Sequence, residues 1–436
     1  MIPHQCCSLL VSVLLRPFPV LSTRLFVIGI AVCAVFLHCP LAAQDQPEAE
    51  RLAPATRAGQ IELQRETKAA SLSPDEPTRT ERKFDWVKHN KIMDFFTDGV
   101  DGLRVAMGGL PPGSGLTLGP EYYRPDLLNG QAIFRSSVRA SWRKFYMMDA
   151  AFSMPKLAHD HAFFELRAVH RDLPHIDYYG PGPNSAKSGR TGYLVEDSVF
   201  STNVGVTPFR HLRVGATGSY MLINVGPGRD DRFASTDRVF TEQTTPGIQF
   251  QSNFLQGGGF VQFDWRNRPG KPQNGGNYVA EFLTYSDRTW GRYSFDRLKL
   301  DAQQYFGFLN DRRVIALRGR VDATDAHQGN RTPFYLQPML GGADDLRGFR
   351  PFRFYGNASM ILSGEYRWEV FSGLDMALFM DAGRVYDTWH QLSFADLQKD
   401  YGFGFRFNVR GSVFWRIDVG FSHEGFQIWS RFSNVF

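Results

Sequence analysis

Hydrophobic and polar residues alternate with a period of two along most of the chain beyond residue 115. The segment 132–143 shows the pattern clearly, with Phe134, Val138, Ala140 and Trp142 on one face and Arg135, Ser137, Arg139 and Ser141 on the other. Comparable segments lie at 212–223, 360–370, 374–381, 401–409, 413–421 and 426–436. A two-residue period is typical of β-strands with one apolar and one polar face. The pattern therefore predicts an all-β protein.

The length of these strands indicates that their apolar faces meet lipid. Each segment has about 10 residues, which at ~3.4 Å per residue and a ~40° tilt cover about 25 Å, the height of an outer-membrane apolar band. Strands of a soluble β-sandwich, the alternative, have only about 5 to 6 residues. Since lipid offers no partner to a free strand edge, the sheet must close. We predict a closed antiparallel transmembrane β-barrel over 113–436, with about 16 strands at roughly 20 residues per strand and connection.

The last predicted strand ends the chain with aromatic residues. Phe426, Ile428, Phe432 and Phe436 continue its apolar face to the final residue. We interpret Phe432 and Phe436 as the C-terminal strand signal of an outer-membrane barrel.

The first 43 residues place an apolar run between positive charges and small residues. Arg16 and Arg24 precede the run 25–37, and Ala42 and Ala43 follow it. This arrangement predicts an export signal at 1–43. A retained membrane helix is the alternative, but the run is shorter than the ~20 residues that a span needs. All four cysteines lie in this segment, namely Cys6, Cys7, Cys33 and Cys39.

Two further segments are predicted between the signal and the barrel. Residues 44–82 are rich in charge and proline and nearly free of aromatic residues, which indicates a disordered periplasmic tail. Residues 83–112 combine a helical apolar spacing at 84–96 with a Gly/Pro turn, which predicts one short N-terminal helix. A further hypothesis places this helix in the barrel lumen or on the inner membrane surface.

A connection between two predicted strands carries the motif Arg347-Gly348-Phe349. Strand parity places Glu365 and Asp381, on the next two strands, on the lumen face. A buried carboxylate is costly unless it is paired, and a fork-shaped guanidinium satisfies it with paired hydrogen bonds. We therefore expect Arg347 to bind both acids, with Gly348 permitting a sharp turn or a close approach to the wall. The alternative is a solvated loop arginine beside two pore charges.

This motif resembles that of the BamA/TamA outer-membrane barrel family, also called the bacterial surface-antigen family. In that family a long extracellular loop folds back into the lumen and places an Arg-Gly-Phe or Arg-Gly-Tyr tip against acidic residues on two neighbouring strands. Arg347, Gly348 and Phe349 match the tip, and Glu365 and Asp381 match the acids. The turn at 178–184 and the strand end at 264–269 extend the similarity.

Two features depart from the family pattern. Leu346 stands before the Arg-Gly tip, where members usually carry Val or Ile. The assembly and translocation members also have periplasmic POTRA domains, whereas the stretch from 44 to about 95 is too short and too polar to fold even one. We therefore expect a family member that lacks POTRA domains.

The resemblance implies a barrel of the bacterial outer membrane that is related to outer-membrane protein assembly and translocation factors. Its partners would be outer-membrane lipids and unfolded outer-membrane protein clients. The implied mechanism is a weakly paired seam between the first and last strands that opens toward lipid. The alternative is a non-enzymatic pore or structural surface-antigen barrel without insertase activity, and a homo-oligomer is open in either case. Without the predicted signal the chain has 47 basic and 44 acidic side chains, a net charge of +3 that is too balanced to indicate nucleic acid.

Other reactive side chains do not combine into a catalytic or metal site in the sequence. His159, Asp160 and His161 lie in loop-like sequence near His170 and His175, with no paired acid or cysteine to complete a metal site. No Ser-His pair of an outward-facing lipase can be identified. Five arginines are predicted to line the pore or hold loops: Arg135, Arg139, Arg143, Arg318 and Arg320. We predict no enzyme activity, no metal and no cofactor.

Overall fold

The computed structural model describes residues 57–71, 79, 81–82, 86, 99–432 and 436. The described residues beyond 99 form one antiparallel sheet of 16 strands and a separate two-stranded pair. Consecutive strands of the large sheet are neighbours throughout, apart from the connection that contains the small pair. The predicted all-β class and the strand number are confirmed.

The strands are numbered in chain order. They are β1 (Leu103–Met107), β2 (Thr117–Asp126), β3 (Ala132–Ser141), β4 (Tyr146–Leu157), β5 (Ala162–Tyr178), β6 (Thr191–Phe209), β7 (Leu212–Pro227), β8 (Phe254–Asp264), β9 (Gly275–Asp287), β10 (Phe295–Phe308), β11 (Arg313–Ala326), β12 (Met339–Leu340), β13 (Phe354–Tyr355), β14 (Ala358–Phe371), β15 (Leu374–Tyr386), β16 (Gln398–Val409), β17 (Ser412–Ser422) and β18 (Gly425–Arg431). A single helical turn lies at Thr236–Val239, and a tight turn with left-handed backbone at Leu128 and Asn129 lies at Leu127–Gly130. Short 3-10 turns lie at Lys187–Gly189, Phe334–Leu336 and Trp389–Gln391.

The register of the ladders separates the two faces of the sheet as the alternation predicts. Ala316, Glu365, Phe379 and Gly402 are successive partners across β11, β14, β15 and β16, so they share one face. This face is turned inward and is largely buried. The opposite face exposes large apolar side chains, including Leu362, Tyr366, Leu378, Met380 and Tyr401. An apolar outer face with a charged inner face is typical of transmembrane barrels.

The two ends of the sheet differ in the length of their connections. At the short-turn end, residues 372–373 join β14 to β15 and residues 410–411 join β16 to β17. At the long-loop end, residues 228–253 join β7 to β8 and residues 327–357 join β11 to β14. The Arg347 segment therefore belongs to the longest connection, and it starts from the long-loop end.

An aromatic core lies at the long-loop end. Tyr178, at the end of β5, packs edge-on against Tyr355 and Phe334, with ring centroids 4.8 and 5.3 Å apart. The Tyr193 hydroxyl lies 3.2 Å from that of Tyr355. These buried rings fix the ends of the β11–β14 connection against β5 and β6.

The first and last strands of the sheet are short and face each other across a seam. Between the described residues, no backbone hydrogen bond joins β1 to β18. The Arg431 Nη1 atom donates to the Leu110 carbonyl at 2.9 Å. A Cβ built on Gly108 would lie 3.7 Å from the Cβ of Phe432. The two edges therefore approach closely without forming a ladder.

The N-terminal part is described only in fragments, the longest being the helix α1 (Arg57–Ser71). The prediction of disorder at 44–82 is wrong for this stretch. Its residues are mostly strong helix formers without proline, and helix propensity does not require burial in a core. The export signal and the cysteines lie outside the described residues, as does the helix predicted at 84–96 except for Trp86.

None of the helices in the described part of the chain is both long and apolar enough to cross a membrane.

Candidate functional site

The connection between β11 and β14 turns into the barrel near its middle. Its two arms are held together where β12 pairs with β13. Between them, residues 341–353, here called the inner loop, run along the inner face of the sheet. Leu346, Arg347 and Phe349 of the inner loop have no exposed surface. A fully buried arginine requires charged partners, because its desolvation is costly.

The guanidinium of Arg347 lies between two carboxylates of neighbouring strands. Its Nε and Nη2 donate to Oδ2 and Oδ1 of Asp381 at 2.7 and 2.9 Å, the two-bond geometry that suits arginine and carboxylate. Its Nη1 donates to Oε1 of Glu365. The guanidinium also stacks on the Phe379 ring, with Cζ 3.5 Å from the ring centroid. The structure thus brings together the three charged residues that the sequence motif singles out, and buries them completely.

Glu365 is shared by three arginines. In addition to Arg347, Arg406 donates Nη2 to Oε1 at 3.1 Å and Arg367 donates Nε to Oε2 at 2.6 Å. Arg406 continues the network by donating to Asp418 of β17 at 2.6 Å. Sequence reasoning missed Arg367 and Arg406 as partners, although strand parity places both on the inner face. The network distributes the buried charge over several strands, which limits the desolvation cost of each group.

At its tip, the backbone of the inner loop lies very close to the backbone of the barrel wall. A Cβ on Gly348 would lie 2.6 Å from the Cβ of Asp400 and 2.9 Å from the carbonyl group of Phe421. Across the contact, a Cβ on Gly420 would lie 2.5 Å from the carbonyl oxygen of Arg347. Each position therefore accepts only glycine without displacement of the loop or the wall.

Phe349 anchors the loop on its apolar side. It belongs to a buried cluster with Leu340, Leu346, Phe354, Ile361 and Val385. Its ring centroid lies 5.4 Å from that of Phe354 and 5.3 Å from that of His423. The tip is thus held by an ion network on one side and by aromatic packing on the other.

The inner loop also contacts β18, the edge strand at the seam. The Trp429 Nε1 atom donates to the carbonyl of Arg347 at 2.7 Å. Asp344 accepts from Arg416 of β17 at 2.5 Å and from Arg431 of β18 at 3.3 Å. One loop therefore contacts all of the last five strands, β14 to β18.

The C-terminal residue lies inside the barrel. β18 ends at Arg431, and the expectation that Phe436 continues the outward apolar series is wrong. Phe436 is buried beside Tyr305, with the cations of Arg318 and Arg367 at 5.7 and 5.3 Å from its ring centroid. These inward-facing cations attract the aromatic ring. A role of Phe432 and Phe436 as a strand signal stays a prediction.

Residues 215–420 match the Omp85 superfamily domain. This part of the chain is therefore an Omp85 superfamily domain. The match extends from β7 to β17 and includes the inner loop, its acidic partners and the arginines of the network. The resemblance to the BamA/TamA barrels that the Arg-Gly-Phe motif suggested is therefore confirmed at the level of the superfamily.

Solved structures with a similar fold include two large outer-membrane barrels. BamA from Haemophilus ducreyi lacking POTRA domains 1–3 aligns with a TM-score of 0.57 and 15% identity, over 76% of this chain and 70% of that chain. CdiB from Escherichia coli aligns with a TM-score of 0.50 and 12% identity, over 76% of this chain and 61% of that chain. No curated protein matches the sequence at a significant level. At these identities the similarity concerns the fold.

Four of the five arginines predicted to line the pore of the barrel face inward and are paired. Arg135, Arg139, Arg318 and Arg320 each bind an aspartate at 2.5 to 2.9 Å. Arg143 lies instead in the hairpin between β3 and β4, where it donates to a backbone carbonyl at 2.7 Å. The inner wall is therefore lined with ion pairs, and Arg143 is outside this set.

The histidine cluster of the sequence is dispersed in the structure. His159 and His161 lie in the turn between β4 and β5, and His170 and His175 lie along β5. Within the described ranges, no group of three or more His, Cys, Asp or Glu side chains is arranged to hold a metal ion.

One outward-facing Ser-His pair was missed by sequence reasoning. His170 and Ser198 are register partners on β5 and β6, and the His170 Nδ1 atom lies 2.9 Å from the Ser198 Oγ atom. The other ring nitrogen, Nε2, faces the Tyr146 hydroxyl at 3.5 Å. Among the described residues no carboxylate orients this imidazole, as a serine nucleophile would require. Only the inter-strand register reveals the pair, and the sequence does not give that register.

Proposed function

We propose that this protein is an outer-membrane barrel that assists the insertion or passage of outer-membrane protein clients. The short-turn end faces the periplasm in this proposal, because outer-membrane barrels place their short turns there. Outer-membrane lipids and unfolded barrel proteins are the partners that this function requires. The proposed role is not enzymatic.

The observation that carries the proposal is the seam. A client strand needs an edge with free backbone N–H and C=O groups, and such edges template strand addition. β1 and β18 supply two such edges, since no backbone hydrogen bond joins them in the described part of the chain. Every other neighbouring pair in the sheet is joined by a ladder.

The inner loop supports the same proposal. An edge strand that is paired on one side only needs other contacts to keep it in position. Here Trp429 and Arg431 of β18 bind the loop through its Arg347 carbonyl and Asp344 side chain. Arg347 in turn is fixed to β14 and β15. The loop acts as an internal brace that keeps β18 in position while leaving its backbone edge available.

Locking the seam with a disulfide is expected to abolish client insertion. The 3.7 Å separation of the Gly108 and Phe432 Cβ positions suits a disulfide, which needs roughly 3.5–4.5 Å. The double variant Gly108→Cys/Phe432→Cys, reconstituted in liposomes, should accelerate the folding of a small urea-unfolded outer-membrane barrel only when it is reduced. Folding of the client is followed by its electrophoretic shift.

The control is a disulfide across a pair of strands that already share a ladder. Val419→Cys/Ile428→Cys joins β17 to β18 at register partners, and it should leave insertion unchanged in both redox states. Acceleration that is equal in the oxidised and reduced seam variants would show that clients do not use the seam. No acceleration by the wild-type chain would contradict the proposed function itself.

A second candidate is a non-enzymatic pore, favoured by a cavity beside the inner wall. This cavity of about 520 Å³ is lined by charged residues of β9, β10 and β11, among them Glu281, Lys299 and Asp322. A charged, water-filled lumen is what a pore requires. The inner loop would be its plug, since Asp345 of the loop also lines this cavity.

If the barrel is a plugged pore, Arg347→Ala is expected to raise its conductance several-fold. Loss of the anchor would release the inner loop from the wall and widen the lumen. Single-channel recording in planar bilayers measures this, with Arg135→Ala as the control, because Arg139 still pairs with Asp149 there. Silent bilayers for both the wild type and Arg347→Ala would count against a pore.

A further inference from the structure

A second cavity opens at the long-loop end, next to the seam. It has a volume of about 990 Å³. Its walls come from the β1–β2 connection, the β3–β4 hairpin, the upper part of β5, the β7–β8 connection, the inner loop and β18. This cavity is therefore distinct from the charged cavity beside β9 to β11. The proposed function assigns no role to it.

The cavity is strongly cationic. Its lining contains seven lysine or arginine side chains and three aspartates. Four of the cations are already paired with carboxylates: Arg190, Arg229, Arg232 and Arg431. The pair with Arg232 holds the pKa of Asp230 well below its usual range, so this aspartate stays charged and neutralises its partner.

Three cations remain without an acid. Among the described residues, no carboxylate lies within 4 Å of the charged ends of Arg143, Lys144 or Arg350. Arg143 and Lys144 are exposed in the β3–β4 hairpin, and Arg350 belongs to the inner loop. A concave surface with several unpaired cations concentrates anions. It is therefore suited to a ligand with more than one negative charge.

The same cavity reaches the lipid-facing side of the barrel. Ile428 and Trp429 both line it, although they lie on opposite faces of β18. The cavity therefore borders both faces of this edge strand. Leu116, Trp142 and Ile428 at this side are exposed apolar residues. Tryptophan at such a position is typical of the membrane–water boundary.

We propose that this cavity binds the phosphorylated headgroup of an outer-leaflet lipid. Arg143, Lys144 and Arg350 hold the phosphate groups, and the acyl chains leave through the seam over Leu116 and Ile428. A soluble anion would use the cations but not the apolar opening, and an uncharged lipid would use only the opening. This site goes beyond the proposed function, because lipid binding does not depend on the insertion of a client.

Lipid binding by the full chain is tested by native mass spectrometry from a non-ionic detergent. Three probes are compared: diphosphorylated lipid A, diacylglycerol and inorganic phosphate. Lipid A should bind most tightly. The variant Arg143→Gln/Lys144→Gln/Arg350→Gln should weaken lipid A binding by about tenfold or more, because it removes three charge-assisted contacts. Binding of lipid A, but not of diacylglycerol, should weaken as salt is added to the wild type.

The matched control removes three exposed cations at the short-turn end, with Lys156→Gln, Arg210→Gln and Arg312→Gln. It has the same net charge as the triple variant and should retain lipid A. Equal affinity of the wild type for lipid A and inorganic phosphate would make this a site for free phosphate and overturn the proposal. Equal affinity for lipid A and diacylglycerol, or no salt dependence, would overturn it even if the triple variant fails to fold.

Discussion

Replacing Arg347 by alanine is expected to destabilise the barrel by about 3–5 kcal/mol, the usual effect of removing one partner from a buried ion pair. Glu365 and Asp381 would remain on the inner face without their shared counter-charge, and both side chains are fully buried. Arg367 and Arg406 would still neutralise Glu365. Most of the loss therefore falls on Asp381, whose two hydrogen bonds from Arg347 have no substitute among the ion pairs of the described residues.

The free energy of unfolding is measured by urea titration in detergent, followed by heat-modifiable electrophoretic mobility. Arg135→Ala is the control, since its side chain is one-third exposed and Asp149 keeps its bond to Arg139. We expect a loss of about 1 kcal/mol or less for this control. Equal losses for Arg347→Ala and Arg135→Ala would show that the buried cluster has no special contribution.

A compensating substitution sharpens this test. Asp381→Asn in the Arg347→Ala background removes the uncompensated carboxylate, so the double variant is expected to recover part of the lost stability. In the wild-type background the same Asp381→Asn substitution should be destabilising, because it leaves Arg347 short of a charge. A double variant less stable than Arg347→Ala alone would contradict the electrostatic explanation.

The sequence correctly predicted the orientation of residues that depends only on the two-residue period of a single strand. Glu365 and Asp381 face inward because each lies at the right parity in a long alternating strand, and no knowledge of the neighbouring strands is needed. Their link to Arg347 followed from charge and from the resemblance to a known barrel family. The barrel class also follows from the alternation and the length of the strands.

Contacts between distant segments could not be found in this way. Trp429 donates to the carbonyl of Arg347 across 82 residues of chain, and that contact depends on the path of the inner loop. The pairing of His170 with Ser198 depends on the register between β5 and β6. Phe436 was misplaced because parity assumes that the chain stays in the sheet, whereas β18 stops at Arg431.

The inner loop contacts the last five strands, and the last of these, β18, borders the unpaired seam. The loop therefore has two effects, one on the stability of the wall and one on the position of β18. Its charged contacts stabilise β14 and β15, where the sheet is fully paired. Its contacts with Trp429 and Arg431 position β18, where the ladder ends. A change that displaces the tip without removing a charge should therefore disturb the seam as well as stability.

Gly348→Val is such a change, and it is expected to displace the loop tip and cost about 3 kcal/mol, the upper end for overpacking of a closed interior. The added side chain would meet the Cβ of Asp400 at 2.6 Å and the backbone carbonyl of Phe421 at 2.9 Å, and backbone cannot rotate away. Since Gly348 adjoins Arg347, the displaced tip should also release Trp429. Quenching of its fluorescence by acrylamide should then rise, as measured in a variant that retains Trp429 as the only tryptophan.

Gly257→Val is the matched control, because it adds the same side chain in β8 where nothing lies within 4 Å of the new Cβ. Valine suits a strand, so this variant should be as stable as the wild type or slightly more so. Greater quenching for Gly348→Val than for Gly257→Val would place the effect at the contact between loop and edge strand. If Gly348→Val unfolded earlier in urea while leaving the quenching of Trp429 unchanged, the tip would stabilise the wall without bracing β18, and the proposed role of the inner loop at the seam would be wrong.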